Sequence, residues 1–276
     1  MDGHFRAFSF VDRITSVQPG ISIRGIYRIP ADISDFPGSL VSEAVGQLAA
    51  WSAMAALDFK VRPVAGLAGR IELHSEIHPG QTLELAAEIE TADMDAVAYG
   101  GNAHADGQPV VTLQHCVGPM MPLEEFDDPA AVRERFHFLC GTGAAPGGFT
   151  GAPALALDPG KGESGQLMRA RLHVPPEASF FADHFPRRAV FPGTLLMHAN
   201  LRLAAALATE VPTRGGWRMR SVSDVKLRAF TPPGEVLEIE VKVGDSTDAA
   251  LEIIVATRNG KRLVCRARVQ FAREEK

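Results

Sequence analysis

The stretch that decides the fold of this chain is FFADHFPRRAVFPGTLLMH, residues 180–198. It places His184 eight residues before the pair Pro192–Gly193, which begins a long apolar helix. Far upstream, the pair Pro37–Gly38 begins a second helix, rich in alanine, leucine and valine, that carries Glu43. Because both helices are apolar almost all round, we expect them to be buried.

The turns that follow the two helices recur at nearly equal distances. From the glycine that begins each helix, the next two turn glycines follow after 42 and 27 residues in the first half, and after 41 and 26 in the second. These glycines are Gly38, Gly80 and Gly107, then Gly193, Gly234 and Gly260. Alternating apolar and polar residues between the turns predict half-buried strands. The pattern therefore predicts an α+β chain that duplicates one unit, in which an antiparallel sheet curls around its own helix.

The duplicated units are predicted to span residues 1–122 and 166–276, which we name the first unit and the second unit. Residues 123–165 between them are rich in glycine, proline and alanine, and contain a short helix predicted from Pro129 to Phe138. This composition is typical of a linker.

Composition narrows the possible partners and compartments. The 276 residues are 46% hydrophobic and carry a net charge of −5, without a block of lysine and arginine, so we expect no nucleic-acid partner. No apolar run reaches the roughly 18 residues of a membrane span, and the N-terminus lacks the order of a signal peptide. The three cysteines are scattered and the histidines show no metal-ligand spacing, so we expect a cytoplasmic protein without disulfides or a metal.

The segment Phe181–Pro186, followed by Pro192–Gly193, resembles the signature of β-hydroxyacyl-acyl carrier protein dehydratases, the FabZ- and FabA-like enzymes of fatty acid synthesis. In that family an acidic residue and then a glutamine follow the Pro–Gly pair. Glu43 and Gln47 stand at these places after Pro37–Gly38. The resemblance covers about residues 1–122 and 166–276, and it implies a double hotdog fold: two antiparallel sheets, each wrapping a long buried helix.

Each unit departs from the family pattern, and the departures are complementary. The second unit has His198 where the family has its acidic residue, and counting eight residues back from Pro37 gives Ile29 where the histidine is expected. In the family the active site lies between two hotdog units, one giving the histidine and the other the acid. The resemblance therefore implies one complete site per chain, made of His184 and Glu43, and a degenerate site with Ile29 and His198.

Dehydration of a 3-hydroxyacyl thioester requires a base for the α-proton and an acid for the departing oxygen. His184 suits the base, since histidine titrates near neutral pH. Glu43 suits the acid if it holds a proton, which burial would favour. Gln47 is predicted to position Glu43 or a water by hydrogen bonding, and the Val190 carbonyl to orient His184. The N–H of Gly193, at a helix N-terminus, is the candidate donor to the thioester oxygen.

The resemblance implies an acyl chain carried on 4′-phosphopantetheine and no other cofactor. We expect an apolar tunnel for this chain, with Phe36, Leu40, Phe191 and Leu195 in its lining, and Phe180 and Trp51 as further candidates. Arg187 and Arg188 are predicted to contact the phosphopantetheine or the carrier. The expected partner is an acyl carrier protein or coenzyme A thioester in fatty acid or polyketide-type synthesis. The chain is expected to be a monomeric pseudo-dimer or a homodimer paired through sheet edges.

Two other functions stay open at the level of sequence. One is a hotdog thioesterase, although the His-Phe-Pro motif at His184 argues against it. The other is a non-catalytic subunit that binds acyl carrier protein without turnover. His198 is interpreted as a packed neutral histidine, and the simpler alternative for Glu43 is a carboxylate that complements the helix dipole.

Overall fold

A computed structural model describes residues 4–146 and 148–274. The first unit contains one helix and seven strands: β1 Arg13–Gln18, β2 Ser22–Arg28, α1 Gly38–Ala56, β3 Val61–Pro63, β4 Leu67–Leu73, β5 Thr82–Ala92, β6 Ala96–Ala105 and β7 Gln108–Pro122. The connecting segment holds a 3₁₀ turn and two elements: Leu123–Glu125, α2 Pro129–Cys140 and β8 Leu157–Pro159. The second unit has a 3₁₀ turn, one helix and five strands: β9 Leu167–His173, Ser179–Ala182, α3 Gly193–Glu210, β10 Trp217–Leu227, β11 Val236–Ser246, β12 Ala250–Asn259 and β13 Arg262–Arg273.

The strand order shows the duplication directly. It runs β1-β2-β5-β6-β7-β4 in the first unit and continues β10-β13-β12-β11-β9-β8 in the second, with all neighbours antiparallel. The second order is the first one reversed, with β8 and β9 in the places of β1 and β2. The short β3, which pairs with the end of β7, is an addition to the first unit.

The two sheets are joined, which the sequence did not predict. The edge strands β4 and β10 pair with each other, with Ile71 opposite Val222, so one continuous sheet crosses both units. An unpaired edge exposes a row of backbone N–H and C=O groups, and joining two edges removes both rows from solvent. The prediction of an antiparallel sheet around a buried helix in each unit is confirmed, with the correction that the sheets are continuous.

The helices α1 and α3 lie inside the curled sheets and against each other. α1 packs on β2, β5 and β6, α3 packs on β9, β11 and β12, and the two helices are in mutual contact. Side chains such as Leu40, Val41 and Leu48 of α1 and Leu195 and Leu207 of α3 are fully buried. Burial of a leucine or valine side chain contributes about 1.5–3 kcal/mol, so the apolar character of both helices is explained by their central position.

Backbone geometry explains the turn glycines. Gly80 and Gly234 have φ angles of 87° and 79°, and Gly107 and Gly260 have 76° and 54°. L-residues with a side chain rarely adopt this left-handed region, whereas glycine does so freely. The equal spacing of these glycines in the sequence therefore arises because the two units have equivalent turns.

The segment 123–165 is packed on both units rather than extended. Asp128 caps α2 by accepting hydrogen bonds from the N–H groups of Ala130 and Ala131 at 2.9 and 3.1 Å. The helix ends at Cys140, two residues beyond the prediction. β8 extends the sheet of the second unit, while Phe149 packs against Phe10 in the first, with ring centroids 5.1 Å apart. The unit boundaries themselves stay a prediction.

Within residues 4–146 and 148–274, no helix is long and apolar enough to cross a membrane.

Candidate active site

A cavity of about 220 Å³ lies where α1 of the first unit meets α3 of the second. Glu43, His184 and Gly193 all line it, so residues predicted from two distant parts of the chain face one space. The strands β4 and β10, which join the two sheets, supply apolar lining such as Ile71 and Val225. The cavity therefore lies at the junction of the two units.

His184 follows the 3₁₀ turn Ser179–Ala182 and is held by its surroundings. Its backbone N–H donates to the Phe180 carbonyl at 2.9 Å, and its Nδ1 lies 3.1 Å from the carbonyl oxygen of Val190. Since a carbonyl can only accept, Nδ1 carries the proton in this contact and Nε2 keeps its lone pair. The Phe8 ring stands edge-on to the imidazole at 5.7 Å, and Phe185 stacks on it at 4.1 Å.

Burial sets the charge of this histidine. Loss of solvent lowers the pKa of His184, and the nearby negative charge of Glu43 opposes this shift only in part. A lowered pKa keeps the imidazole neutral near pH 7. A neutral imidazole with a free Nε2 is the form that can accept a proton.

Glu43 lies in the second turn of α1 and accepts two hydrogen bonds. Its Oε2 accepts from the Thr194 hydroxyl of α3 at 2.7 Å, across the junction of the units. Its Oε1 accepts from the side-chain amide of Gln47 at 3.0 Å. Thr194 was not predicted, because nothing in the sequence distinguishes a threonine that follows a helix-opening glycine from an ordinary surface residue.

Gln47 is held in one orientation by the chain near the N-terminus. Its Oε1 accepts from the Phe10 N–H at 2.8 Å, and its Nε2 donates to the Phe8 carbonyl at 2.9 Å. These two contacts fix which end of the amide faces Glu43. The prediction that Gln47 contacts Glu43 agrees with this geometry, and the reason is that the residues are four apart on one helix.

Gly193 begins α3 and borders the cavity. The first N–H groups of a helix lack intrahelical acceptors and attract negative charge, so this end of α3 can stabilise an oxyanion. A Cβ on Gly193 would lie 2.5 Å from Cδ1 of Leu227, so a side chain here would require the Leu227 side chain to move. Gly193 is therefore in close contact with β10.

The predicted tunnel residues need correction. Phe36, Leu40, Phe191 and Leu195 are fully or almost fully buried, and none of them lines this cavity. Phe180 is also in the core, whereas Trp51 does border the cavity. The face of α1 that meets the cavity carries small and polar residues at intervals of three and four: Ser39, Ser42, Glu43, Gly46, Gln47 and Ala50. That spacing was visible in the sequence, but the apolar residues around it concealed the face.

Arg187 and Arg188 lie outside the cavity and bind the connecting segment. Arg187 donates to the Glu124 carbonyl and to Asp128, each at 3.0 Å. Arg188 pairs with Glu125 at 3.4 Å and stacks on Phe126 and Phe230. These contacts anchor the loop that carries His184. Contact with a carrier stays a prediction, and an acidic carrier surface would have to replace Asp128 and Glu125 as partners.

The degenerate site differs from the prediction. Ile29 donates its N–H to the Gln81 carbonyl, and Val174 does the same to the Glu235 carbonyl, so these two residues are structural counterparts. Nine positions separate Ile29 from Gly38, whereas nineteen separate Val174 from Gly193. The prediction that Ile29 occupies the histidine position of the first unit is therefore wrong, since the count assumed loops of equal length. The first unit is too short by ten residues to carry the histidine loop.

His198 occupies the place on α3 where the family pattern has its acidic residue, but it lies outside the cavity that Glu43 and His184 line. Burial lowers its pKa, and the positive charge of Arg202 adds to this effect. A half-buried neutral histidine agrees with the interpretation that His198 is a packing residue.

Sequence reasoning also missed Asp183, the residue before His184. Its Oδ2 accepts from the Phe8 N–H at 2.7 Å and from the Ser9 hydroxyl at 3.1 Å. Burial raises the pKa of this carboxyl, while the hydrogen bonds oppose the shift. Asp183 thus ties the histidine loop to the same N-terminal segment that holds Gln47.

Comparison with known proteins agrees with the resemblance. The family model described as ApeI-like, ApeI dehydratase, matches residues 161–265. The 3-hydroxyacyl-[acyl-carrier-protein] dehydratase FabZ of Roseiflexus sp. strain RS-1 is 30% identical over 127 residues, which cover 43% of this chain and 80% of that protein. The FabZ of Tolumonas auensis is 30% identical over 116 residues, covering 40% of this chain and 76% of that protein.

Solved structures bear on the fold. A putative oleoyl thioesterase from Lactobacillus plantarum superposes with a TM-score of 0.62 at 10% identity, over 92% of this chain and 97% of that one. A MaoC-like dehydratase superposes with a TM-score of 0.53 at 14% identity, over 93% of this chain and 98% of that one. At such low identity these likenesses show the fold alone, and they confirm the double hotdog. Because the chain is 30% identical to FabZ over four-fifths of the Roseiflexus protein, it belongs to the FabZ-like family of hotdog-fold dehydratases.

Proposed function

We propose that the chain removes water from 3-hydroxyacyl thioesters, using one site that combines Glu43 of the first unit with His184 of the second. The observation that carries this proposal is their common cavity, in which Thr194 of the second unit holds Glu43 across the junction at 2.7 Å. Elimination of water needs a base and an acid on one substrate. Two titratable groups from separate units that face one cavity meet this need.

The reaction begins at the α-carbon. Neutral His184 takes the α-proton with Nε2, while the Val190 carbonyl holds Nδ1–H. The electron pair of the broken C–H bond moves toward the thioester oxygen, where the N–H of Gly193 stabilises the developing charge. The pair then forms the Cα=Cβ bond as the Cβ–O bond breaks, and a proton from Glu43 converts the departing hydroxide to water. The proton on His184 returns to Glu43, so the cycle consumes and releases no net proton.

The substrate is proposed to be carried by 4′-phosphopantetheine, on an acyl carrier protein in preference to coenzyme A. The apolar cavity between α1 and α3 suits an acyl chain. The preference for a carrier protein comes from the relatives, which are named as dehydratases of acyl-carrier-protein substrates. The product is an enoyl thioester of fatty acid or polyketide-type synthesis.

The experiment supplies purified protein with 3-hydroxyacyl-pantetheine and with the carrier-linked thioester, and follows the enoyl product by absorbance and mass. We expect turnover that falls at least 100-fold in His184→Ala and Glu43→Gln but is kept in the matched control His198→Ala. Equal rates in the three variants would refute the one-site proposal. Release of free thiol without enoyl product would indicate a thioesterase, and binding without turnover would indicate a non-catalytic subunit.

A further inference from the structure

Arg62 enters the cavity from an element that the second unit lacks. It lies in β3, where it pairs with Met121 near the end of β7. The last strand of the second unit, β13, has no such added partner within the described residues. The extra pairing directs the Arg62 side chain into the cavity that holds Glu43 and His184.

The guanidinium of Arg62 lies against the ring next to the histidine. Its Cζ is 4.0 Å from the centre of the Phe185 ring, which in turn stacks on the His184 imidazole at 4.1 Å. The side chain is 17% exposed. Contact with Phe185 therefore links the position of Arg62 to that of the imidazole.

The charge of Arg62 is only partly balanced. Its Nη1 lies 3.8 Å from Asp127 Oδ2, a carboxylate that is also bonded to His4 at 3.2 Å, and its buried Nε has no acceptor among the described residues. Burial lowers the pKa of Arg62 to about 10, opposed by the charges of Asp127 and Glu43. The group is thus a cation at neutral pH. A buried cation with an unpaired donor destabilises a protein, so a structural role alone does not account for it.

Few charged groups surround the imidazole. Glu43 faces it from α1 and Arg62 from β3, while Asp183 precedes it in the same loop and is occupied by Phe8 and Ser9. Beyond Arg62 lie Asp127 and His4. Two arginines of the described residues line the cavity, Arg62 and Arg135 of α2. Arg135 interacts with Asp183, whereas the charge of Arg62 adds to the effect of burial in lowering the pKa of the imidazole.

We propose that Arg62 is a positioning residue of this active site: it holds the imidazole through the Phe185 ring, and its charge acts together with burial to favour the neutral form of His184 that accepts the α-proton. The second part of this inference rests on the proposed function, whereas the first part concerns the protein alone. The charge of the Arg62 side chain acts on the protonation of His184, and its planar shape positions the Phe185 ring, so different variants test the two roles.

The test is an NMR titration of His184 in protein without substrate, so that its outcome does not depend on turnover. In Arg62→Met the His184 titration midpoint is expected to rise by about one pH unit, because a neighbouring positive charge is removed. Arg62→Lys keeps the charge and is expected to stay near the wild-type midpoint. Arg133→Met is the matched control, since Arg133 also stacks on a phenylalanine and pairs with an aspartate, but outside the cavity.

Activity supplies the second readout. In Arg62→Met the acid limb of the kcat/KM pH profile is expected to move up with the NMR midpoint. In Arg62→Lys, which lacks the flat stacking surface, kcat is expected to fall roughly tenfold with little change in KM, because a displaced base acts more slowly.

An unchanged His184 midpoint in a folded Arg62→Met protein would overturn the proposal. If that variant does not fold, Arg62→Gln, which is neutral and polar, is judged by the same criterion. A shifted midpoint in a protein without dehydratase turnover would reject the proposed function but keep the electrostatic link between Arg62 and His184.

Discussion

Replacement of Thr194 by valine tests whether the contact across the units supports catalysis. Valine keeps the shape of threonine but removes the hydroxyl that donates to Glu43 at 2.7 Å. Removal of the hydroxyl leaves an oxygen of the half-buried Glu43 without a donor, which costs about 1–3 kcal/mol, and about 1.4 kcal/mol corresponds to a tenfold change in rate. If this contact holds Glu43 in its reactive position, kcat/KM in Thr194→Val should fall about 5- to 150-fold.

The assay follows enoyl product from a 3-hydroxyacyl-pantetheine thioester, with thermal unfolding measured in parallel to exclude a loss of folded protein. Thr194→Ser keeps the hydroxyl and should retain most of the activity. Thr209→Val is the control in the same helix, since the exposed Thr209 hydroxyl donates to the Ala206 carbonyl. A Thr194→Val enzyme within twofold of wild type would refute the idea that the second unit positions the acid of the first.

Three further predictions concern Gln47, Asp12 and the face of α1. Gln47→Leu removes three hydrogen bonds and should lower the free energy of unfolding, measured in a urea titration, by about 3 kcal/mol. The kcat should fall as well. An unchanged stability would show that Gln47 does not link α1 to the N-terminal segment. Burial raises the pKa of Asp12 to about 6. The contribution of the Asp12 carboxyl to stability is therefore present below pH 4 and lost as the pH rises through 6. Asp12→Asn should flatten this part of the pH–stability curve, and a curve like that of the wild type would argue against the raised pKa. Ser42→Leu fills the cavity and should lower the rate for long acyl chains more than for short ones. Leu40→Ala should instead lower the free energy of unfolding by about 2–5 kcal/mol without changing the chain-length preference. The reverse result would show that Leu40 lines the tunnel.

The sequence was most informative where the chemistry is local. His184, Val190 and Gly193 lie within ten residues, and Glu43 and Gln47 lie one helical turn apart, so spacing alone indicates which of them meet. The repeat of turn glycines extended this local information to the whole fold, because glycine adopts a positive φ more readily than residues with a side chain.

The remaining features depend on contacts that spacing does not encode. Arg62 reaches the cavity through a three-residue strand whose partner is the far end of β7. Thr194 matters only because α3 of one unit faces α1 of the other. The tunnel residues were mistaken because the large apolar side chains of α1 and α3 were expected to line the cavity, whereas much of its α1 lining is small or polar. Ile29 was misplaced because a count along the chain assumes equal loops, and the two loops differ by ten residues.

The claim that one chain builds one complete site is tested most directly by mixing two inactive variants. His184→Ala and Glu43→Gln proteins are purified separately, unfolded and refolded together, and assayed for enoyl product beside the wild-type protein treated in the same way. If Glu43 and His184 of the same chain form the site, the mixture stays as inactive as either variant alone while the wild type recovers its activity. Restoration of a substantial fraction of wild-type activity in the mixture would contradict the account, because it would require the two residues to come from different chains.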